Sequence, residues 1–139
     1  MNKYNAERYH DPTAYAALSA IEKEECALRA FRPIVYICYP SSGDVENNTT
    51  AARRYSRFAV EQGYIPIAPH LLFPQFLNDD SYRERQLGLF FGNAIMSKCS
   101  EVWVFGDTIT SGMEEEIQRA RWKNYRLRYF TNDCEEVLQ

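Results

Sequence analysis

The sequence predicts an α/β fold, a small three-layer sandwich with helices on both faces of a parallel sheet of four to five strands. Short apolar runs alternate with longer segments whose apolar residues recur at helical spacing. This alternation is typical of parallel strands joined by right-handed helical crossovers. A chain of 139 residues that is 45% hydrophobic is long and apolar enough for one domain with a buried core.

Four apolar runs are predicted strands, at residues 34–38, 64–68, 102–105 and 126–130. Pro66 lacks the amide hydrogen that a central strand donates, so the second strand is expected at an edge of the sheet. The strand order 2-1-3-4 follows, which is a Rossmann-like (flavodoxin-like) arrangement. In that order the chain changes direction between strands 1 and 3, and a ligand crevice is expected at their carboxyl ends.

The segments between the strands are predicted helices, with an additional helix before the first strand. Their predicted ranges are 13–30, about 45–62, about 82–98 and from Ser111 or Gly112 onward. Residues 69–80 are predicted to form a long loop. The predicted organisation is an arm and helix at 1–31, the sheet domain at 32–131 and a short acidic tail at 132–139.

Composition excludes several classes of function. A net charge of −3 gives no electrostatic case for binding polymeric nucleic acid, although a small nucleotide needs only a few backbone amides. The four cysteines and two histidines show no metal-ligand spacing, so we expect reduced thiols and neither a metal nor a cofactor. No apolar run approaches membrane-spanning length and no signal segment is evident, so a cytoplasmic protein without a membrane partner is expected.

The segment 101–120 carries the strongest functional signal. A buried strand leads through a polar turn into a helix, and ligands bind at such junctions in open parallel sheets. The stripe of this helix that faces the sheet consists of Met113, Ile117 and Ala120. Glu116 lies on the flank of that stripe, where it can point back toward the strand ends.

Two interpretations of Glu116 remain open at this point. A carboxylate on a sheet-facing flank is a candidate for chemistry, because such flanks usually carry apolar residues. Alternatively, Glu114, Glu115 and Glu116 stabilise the positive end of the helix dipole, and Glu115 pairs with Arg119. The second interpretation suits Glu114 and Glu115, which should point outward, better than it suits Glu116.

The turn after the first strand is a second candidate. Residues 40–44, Pro-Ser-Ser-Gly-Asp, precede a helix whose free amides could receive a phosphate, but the same residues are also common helix caps. Tyr39 and His70 follow predicted strands at the same edge of the sheet, and a structural role for His70 is equally open. Arg83 and Arg85 could contact a phosphate or pair with surface acids.

Taken together, these motifs resemble the nucleoside 2-deoxyribosyltransferase-like proteins of the SLOG superfamily, and most closely their uncharacterised bacterial and phage branch. The resemblance covers about residues 33–130. It rests on Val-Tyr-Ile-Cys-Tyr-Pro-Ser-Ser-Gly-Asp (35–44), Gly-Tyr-Ile-Pro-Ile-Ala-Pro-His (63–70), Glu-Val-Trp-Val-Phe-Gly (101–106) and Ser-Gly-Met-Glu-Glu-Glu-Ile (111–117). The last segment matches the family's Gly-x-x-x-Glu element, whose glutamate is the nucleophile of the characterised enzymes and falls on Glu116.

The resemblance implies a deoxynucleoside or deoxynucleoside 5′-monophosphate as ligand, with hydrolysis of the N-glycosidic bond or transfer of the deoxyribosyl group. Glu116 would attack C1′, and water or another base would release the glycosyl ester with retention. Asn93 stands where the enzymes carry a substrate-orienting aspartate, and an amide cannot accept a proton as a carboxylate does. The substrate contacts implied are Tyr39, Ser41, Ser42, Gly43, Asp44, His70, Asp107, Ser111, Gly112 and Met113.

Three classes of function therefore stay open. The first is an N-glycosidase or deoxyribosyltransferase, and the second is a non-catalytic binder or sensor of a nucleotide-derived ligand. The third is an interaction module that uses the amino-terminal helix, with Tyr4, Tyr9 and Tyr15 either at an interface or covering the protomer's own sheet. A homodimer or higher homo-oligomer is compatible with all three.

Overall fold

The computed structural model describes residues 12–28 and 31–138. The chain divides into two compact units between Phe31 and Arg32. The first unit contains helix α1 (Pro12–Leu28), which is the predicted additional helix. The predicted interface residues Tyr4 and Tyr9 and the side chain of Tyr15 lie outside the described parts of the chain.

The second unit is built on a five-stranded sheet with the order β2-β1-β3-β4-β5. Four strands run parallel and the fifth is antiparallel to β4. The strands are β1 (Ile34–Cys38), β2 (Ile65–Ile67), β3 (Glu101–Phe105), β4 (Arg126–Phe130) and β5 (Glu136–Val137). The predicted α/β class and the order 2-1-3-4 are confirmed, and β2, which contains Pro66, lies at the edge.

Helices cover both faces of this sheet. They are α2 (Val45–Glu61), α3 (Pro69–Leu72), α4 (Tyr82–Met96) and α5 (Ser111–Trp122). Alternate residues of β1 point to opposite faces, so Val35 and Ile37 pack with α2 whereas Tyr36 and Cys38 pack with α4 and α5. The two apolar clusters are the outer interfaces of a three-layer sandwich.

Two segments differ from their sequence-based predictions. Residues 69–75, predicted as loop, form α3 and a single 3-10 turn, because Pro69 and Pro74 occupy the first turns of these elements, where a missing amide hydrogen costs nothing. The predicted tail contains β5, which the polar sequence did not indicate. Arg128 donates two hydrogen bonds to Glu136, at 2.8 and 2.9 Å, and thereby links β5 to β4.

A buried carboxylate lies at the opposite end of the sheet from the crevice. Glu101, at the start of β3, is 7% exposed. It accepts hydrogen bonds from the hydroxyl of Tyr64 at 2.7 Å and from the indole of Trp103 at 3.1 Å. Arg128 and Arg126 approach the same carboxylate at 3.6 and 3.9 Å. The carboxylate is buried and hydrogen-bonded within the protein, and it does not line the cleft, so we assign this cluster a structural role.

The Glu101→Ala variant should be destabilised by about 2–4 kcal/mol, because the change leaves a buried indole donor and a phenol without their acceptor. Urea unfolding followed by circular dichroism measures the difference. The matched control is Glu61→Ala, which removes only the exposed ion pair with Arg57 and should cost about 0.5 kcal/mol or less. If both variants lost the same free energy of unfolding, the structural role assigned to Glu101 would be contradicted.

Candidate functional site

The crevice opens where β1 and β3 end side by side and the chain leaves them for α2 and α5. Gly106 follows β3 with φ +115°, a conformation that favours glycine. Thr110 then caps α5: its hydroxyl and carbonyl accept from the amides of Met113 and Glu114. The helix begins at Ser111, as the sequence predicted. This turn brings the side of α5 that carries Glu116 over the end of the sheet.

Glu116 and His70 form a pair in this crevice. The Nε2 atom of His70 lies 3.2 Å from Oε1 of Glu116. The Glu116 side chain is 14% exposed and that of His70 is 31% exposed. His70 reaches the carboxylate because α3 turns directly after β2. The predicted position of Glu116 on the flank of the apolar stripe is confirmed, since Met113, Ile117 and Ala120 are buried beside it.

The second oxygen of Glu116 is unsatisfied. Oε2 is buried and has no hydrogen-bond partner among the described residues. More than nine-tenths of buried polar groups in proteins are paired, and an unpaired carboxylate oxygen is costly. Glu116 lines the cleft through the exposed part of its side chain, and a ligand would meet the buried Oε2 only if the carboxylate turned toward the cleft.

The negative charge of Glu116 acts on several neighbouring groups. Burial and then this charge raise the pKa of Tyr36 and of Cys38 well above their ordinary values, and the approach of the Tyr36 hydroxyl to the Glu116 carboxylate as a hydrogen-bond donor raises the pKa of Tyr36 further. The pKa of Tyr39 is raised by burial and then by this charge. Burial lowers the pKa of His70, but the hydrogen bond to Glu116 and its charge outweigh burial, so the net shift is upward. Clefts with several perturbed groups are candidate functional sites.

A cleft of about 990 Å³ extends from this pair between α3, α4 and α5. One wall is apolar and is formed by Pro69, Phe73, Pro74, Leu77, Leu89 and Phe90. The facing wall is the outer side of α5 from Gly112 to Trp122. The volume lies at the upper end of the range of ligand-binding pockets, about 300–1,000 Å³.

The structure brings five of the predicted site residues to this cleft: Ser41, His70, Asn93, Gly112 and Glu116. Tyr39 is buried behind His70, with the two rings edge to face at 5.9 Å. Met113 is buried in the core, where its carbonyl faces the thiol of Cys38. Ser111 is exposed at the start of α5.

The remaining predicted contacts lie outside the cleft lining. Asp44 caps α2, accepting from the amide of Asn47 at 3.2 Å, and the Ser42 carbonyl accepts from the side chain of Asn48. Gly43 lies between them with φ +88°. Asp107 accepts from the side-chain amide of Asn132 at 2.8 Å. Capping accounts for Asp44, and a substrate contact by these four residues stays a prediction.

Several cleft residues were not predicted from the sequence as site residues: Tyr36, Phe90, Glu115, Arg119 and Trp122. Arg85, for which a phosphate contact stayed open, also lines the cleft, whereas Arg83 does not. Two of these residues, Phe90 and Trp122, are large aromatic side chains that are 67% and 78% exposed, and this exposure distinguishes them from core residues. Large aromatic side chains outside the core at one cleft indicate a binding surface.

Features of two other classes of site are absent from the part of the chain that the structure describes. No group of three His, Cys, Asp or Glu side chains converges within residues 12–28 and 31–138 in a way that could hold a metal ion. In the same ranges, no helix combines the length and the apolar character needed to cross a bilayer. The polar side chains that line the cleft carry four carboxylates, three amides, two guanidinium groups, two hydroxyls and the imidazole of His70.

The His70–Glu116 pair should make stability depend on pH. Because the pKa of His70 is raised in the folded state, the pair stabilises fully below the ordinary pKa of about 6.5, and this contribution is lost as the pH rises through the folded value. The measured quantity is the difference in melting temperature between the wild type and the His70→Gln variant. This difference should be larger by a few degrees at about pH 6 than at about pH 9.

The control is the same comparison in a Glu116→Gln background, in which the pH-dependent part of the difference should disappear. The difference in melting temperature could instead stay constant over this pH range, or keep its pH dependence in the Glu116→Gln background. Either result would show that the His70–Glu116 pair does not cause the pH dependence of stability.

Comparison with known proteins agrees with the fold. The structure is similar to that of the 2-deoxyribosyltransferase from the psychrotolerant bacterium Bacillus psychrosaccharolyticus, with a TM-score of 0.62. The match covers 76% of this chain and 77% of that chain at 11% sequence identity, so it shows a common fold. No curated protein matches the sequence significantly. Residues 33–130 match a family described as a domain of unknown function, and the chain therefore belongs to the DUF7768 family.

Proposed function

We propose that the protein binds a deoxynucleoside or its 5′-monophosphate in the cleft and cleaves the N-glycosidic bond, with Glu116 as the nucleophile. The observation that carries the proposal is the buried, unpartnered Oε2 of Glu116 at the cleft. The fold shared with a 2-deoxyribosyltransferase supports the substrate class.

The pairing of Glu116 suits a nucleophile. His70 contacts Oε1, and a small rotation of the carboxylate would bring Oε2, which is buried and has no hydrogen-bond partner among the described residues, toward C1′ of a bound sugar. As the bond to the base breaks, Oε2 forms an ester with C1′, and the electron pair of the broken bond leaves with the base. Water or a second base then attacks C1′, the bond from C1′ to Oε2 breaks with its electron pair returning to Glu116, and the proton of the attacking group passes to the departed base through solvent, with retention of configuration.

The start of α5 is suited to the 5′ end of the substrate. Thr110 accepts hydrogen bonds from the amides of Met113 and Glu114. The amides of Ser111 and Gly112 have no hydrogen-bond partner in the described structure. Free amides at the positive end of a twelve-residue helix favour a phosphate. Ser41, which lines the same cleft, supplies a hydroxyl. With the phosphate here, the sugar falls beside Glu116.

The Glu116→Ala variant should lose base release from the deoxynucleoside monophosphates that the wild type cleaves, by about a thousandfold or more, because the bond-forming atom is gone. Free base is measured by chromatography after incubation with a panel of these nucleotides. Glu61→Gln is the matched control: Glu61 is exposed at the end of α2, pairs with Arg57 and does not line the cleft, so the rate of this variant should be unchanged.

Asn93 favours a second candidate function, a binder that keeps the pocket without turnover. The amide lines the cleft but cannot take up a proton as a carboxylate does. No base release by the wild type from any nucleotide, with binding retained, would establish this alternative and contradict the enzyme proposal.

The Asn93→Asp variant separates the two candidates further. If Asn93 limits the reaction, the carboxylate should raise the rate of base release by about tenfold or more, as expected for a restored acid–base group. Single-turnover measurements with wild type and variant at equal binding saturation report the change. An unchanged rate, with the fold intact by circular dichroism, would show that Asn93 does not limit turnover.

A further inference from the structure

We propose that Glu115, Arg119, Trp122 and Phe90 form the subsite for the base and select a 6-oxopurine, guanine above all. This inference rests on the proposed function, because it takes the sugar to lie beside Glu116. It adds the identity of the base, which neither the fold nor the family supplies.

The spacing along α5 sets the direction of the ligand. Gly112, Glu116, Arg119 and Trp122 are three or four residues apart and line one cleft, so they form one stripe of the helix. At 1.5 Å per residue, Gly112 lies about 6 Å before Glu116 and Trp122 about 9 Å beyond it. A nucleotide with its phosphate at the start of α5 and its C1′ at Glu116 can extend its base along this stripe, toward Arg119 and Trp122.

The polar groups at this end of the cleft match guanine. Glu115 and Arg119 are one helical turn apart, both line the cleft, and neither side chain is bonded to another described residue. Arginine only donates hydrogen bonds and an ionised carboxylate only accepts them. Guanine presents the acceptors O6 and N7 on one edge and N–H donors on the adjacent edge, whereas adenine presents a donor at position 6.

Two aromatic side chains provide surfaces for a planar ring. Phe90 on α4 and Trp122 on α5 are mostly exposed, although each lines the cleft. The ammonium of Lys123 lies 5.0 Å from the centre of the Trp122 ring, which adds positive charge at this end. Bases of all types stack on such surfaces, so the aromatic pair supplies affinity and Glu115 with Arg119 supplies the choice of base.

The test measures dissociation constants of dGMP, dIMP, dAMP and dTMP on the full-length Glu116→Gln protein, which retains the cleft but not the nucleophile. dGMP should bind about tenfold more tightly than dAMP, and Arg119→Ala should remove this preference. Glu115→Ala should weaken dGMP more than dIMP, because hypoxanthine lacks the 2-amino group. Trp122→Phe should abolish the ligand-induced change in tryptophan fluorescence.

Arg53→Ala is the matched control, since Arg53 is exposed on α2 and does not line the cleft; it should leave all four constants unchanged. Equal binding of the four nucleotides, or a guanine preference that survives in the Arg119→Ala and Glu115→Ala variants, would overturn the subsite and leave the proposed function intact. Failure of every nucleotide to bind would overturn the proposed function and the subsite together.

Discussion

The site depends on a negative charge that the fold holds in a largely buried place. The carboxylate of Glu116 lies largely out of water between β1 and α5, with His70 at 3.2 Å from Oε1 and the Tyr36 hydroxyl as a second polar neighbour. Burial and then this charge raise the pKa of Tyr36, of Cys38 and of Tyr39, so these groups stay neutral beside Glu116. The imidazole of His70, whose pKa is raised through its contact with Glu116, is the neighbour that can carry a compensating charge.

The packing around Glu116 keeps its carboxylate from turning out into solvent. The even-numbered side chains of β1 point to the face that α4 and α5 cover, which places Tyr36 and Cys38 beneath Glu116. Gly92 of α4 lies against the Tyr36 hydroxyl, and a Cβ atom there would come within 3.4 Å of it. Met113 and Ile117, both buried, fix the rotation of α5. The carboxylate is thus held by core residues, and its position is as rigid as the core.

The sequence predicted the parts of this arrangement that periodicity determines. Strand positions, the strand order and the flank position of Glu116 follow from alternation, from Pro66 and from the spacing of Met113 and Ile117. The contact of His70 with Glu116 did not follow, because it spans 46 residues and depends on α3, which was predicted as loop. Phe90, Arg119 and Trp122 were missed because each occupies a position that is exposed on its own helix. Only the tertiary placement of α4 opposite α5 makes these positions face a cleft.

The electrostatics of the pocket distinguish between binding a nucleotide and reacting with it. A neutral deoxyribose gains little from a nearby carboxylate whose second oxygen is unpaired, so a site built only to bind would gain by satisfying that oxygen. The oxocarbenium-like transition state of glycosidic cleavage carries positive charge at C1′, which this carboxylate stabilises strongly in a medium of low dielectric constant. An interaction that is stronger in the transition state than in the ground state accelerates a reaction. Under the proposed function, the carboxylate of Glu116 would therefore contribute more to the transition state than to the binding of a neutral sugar.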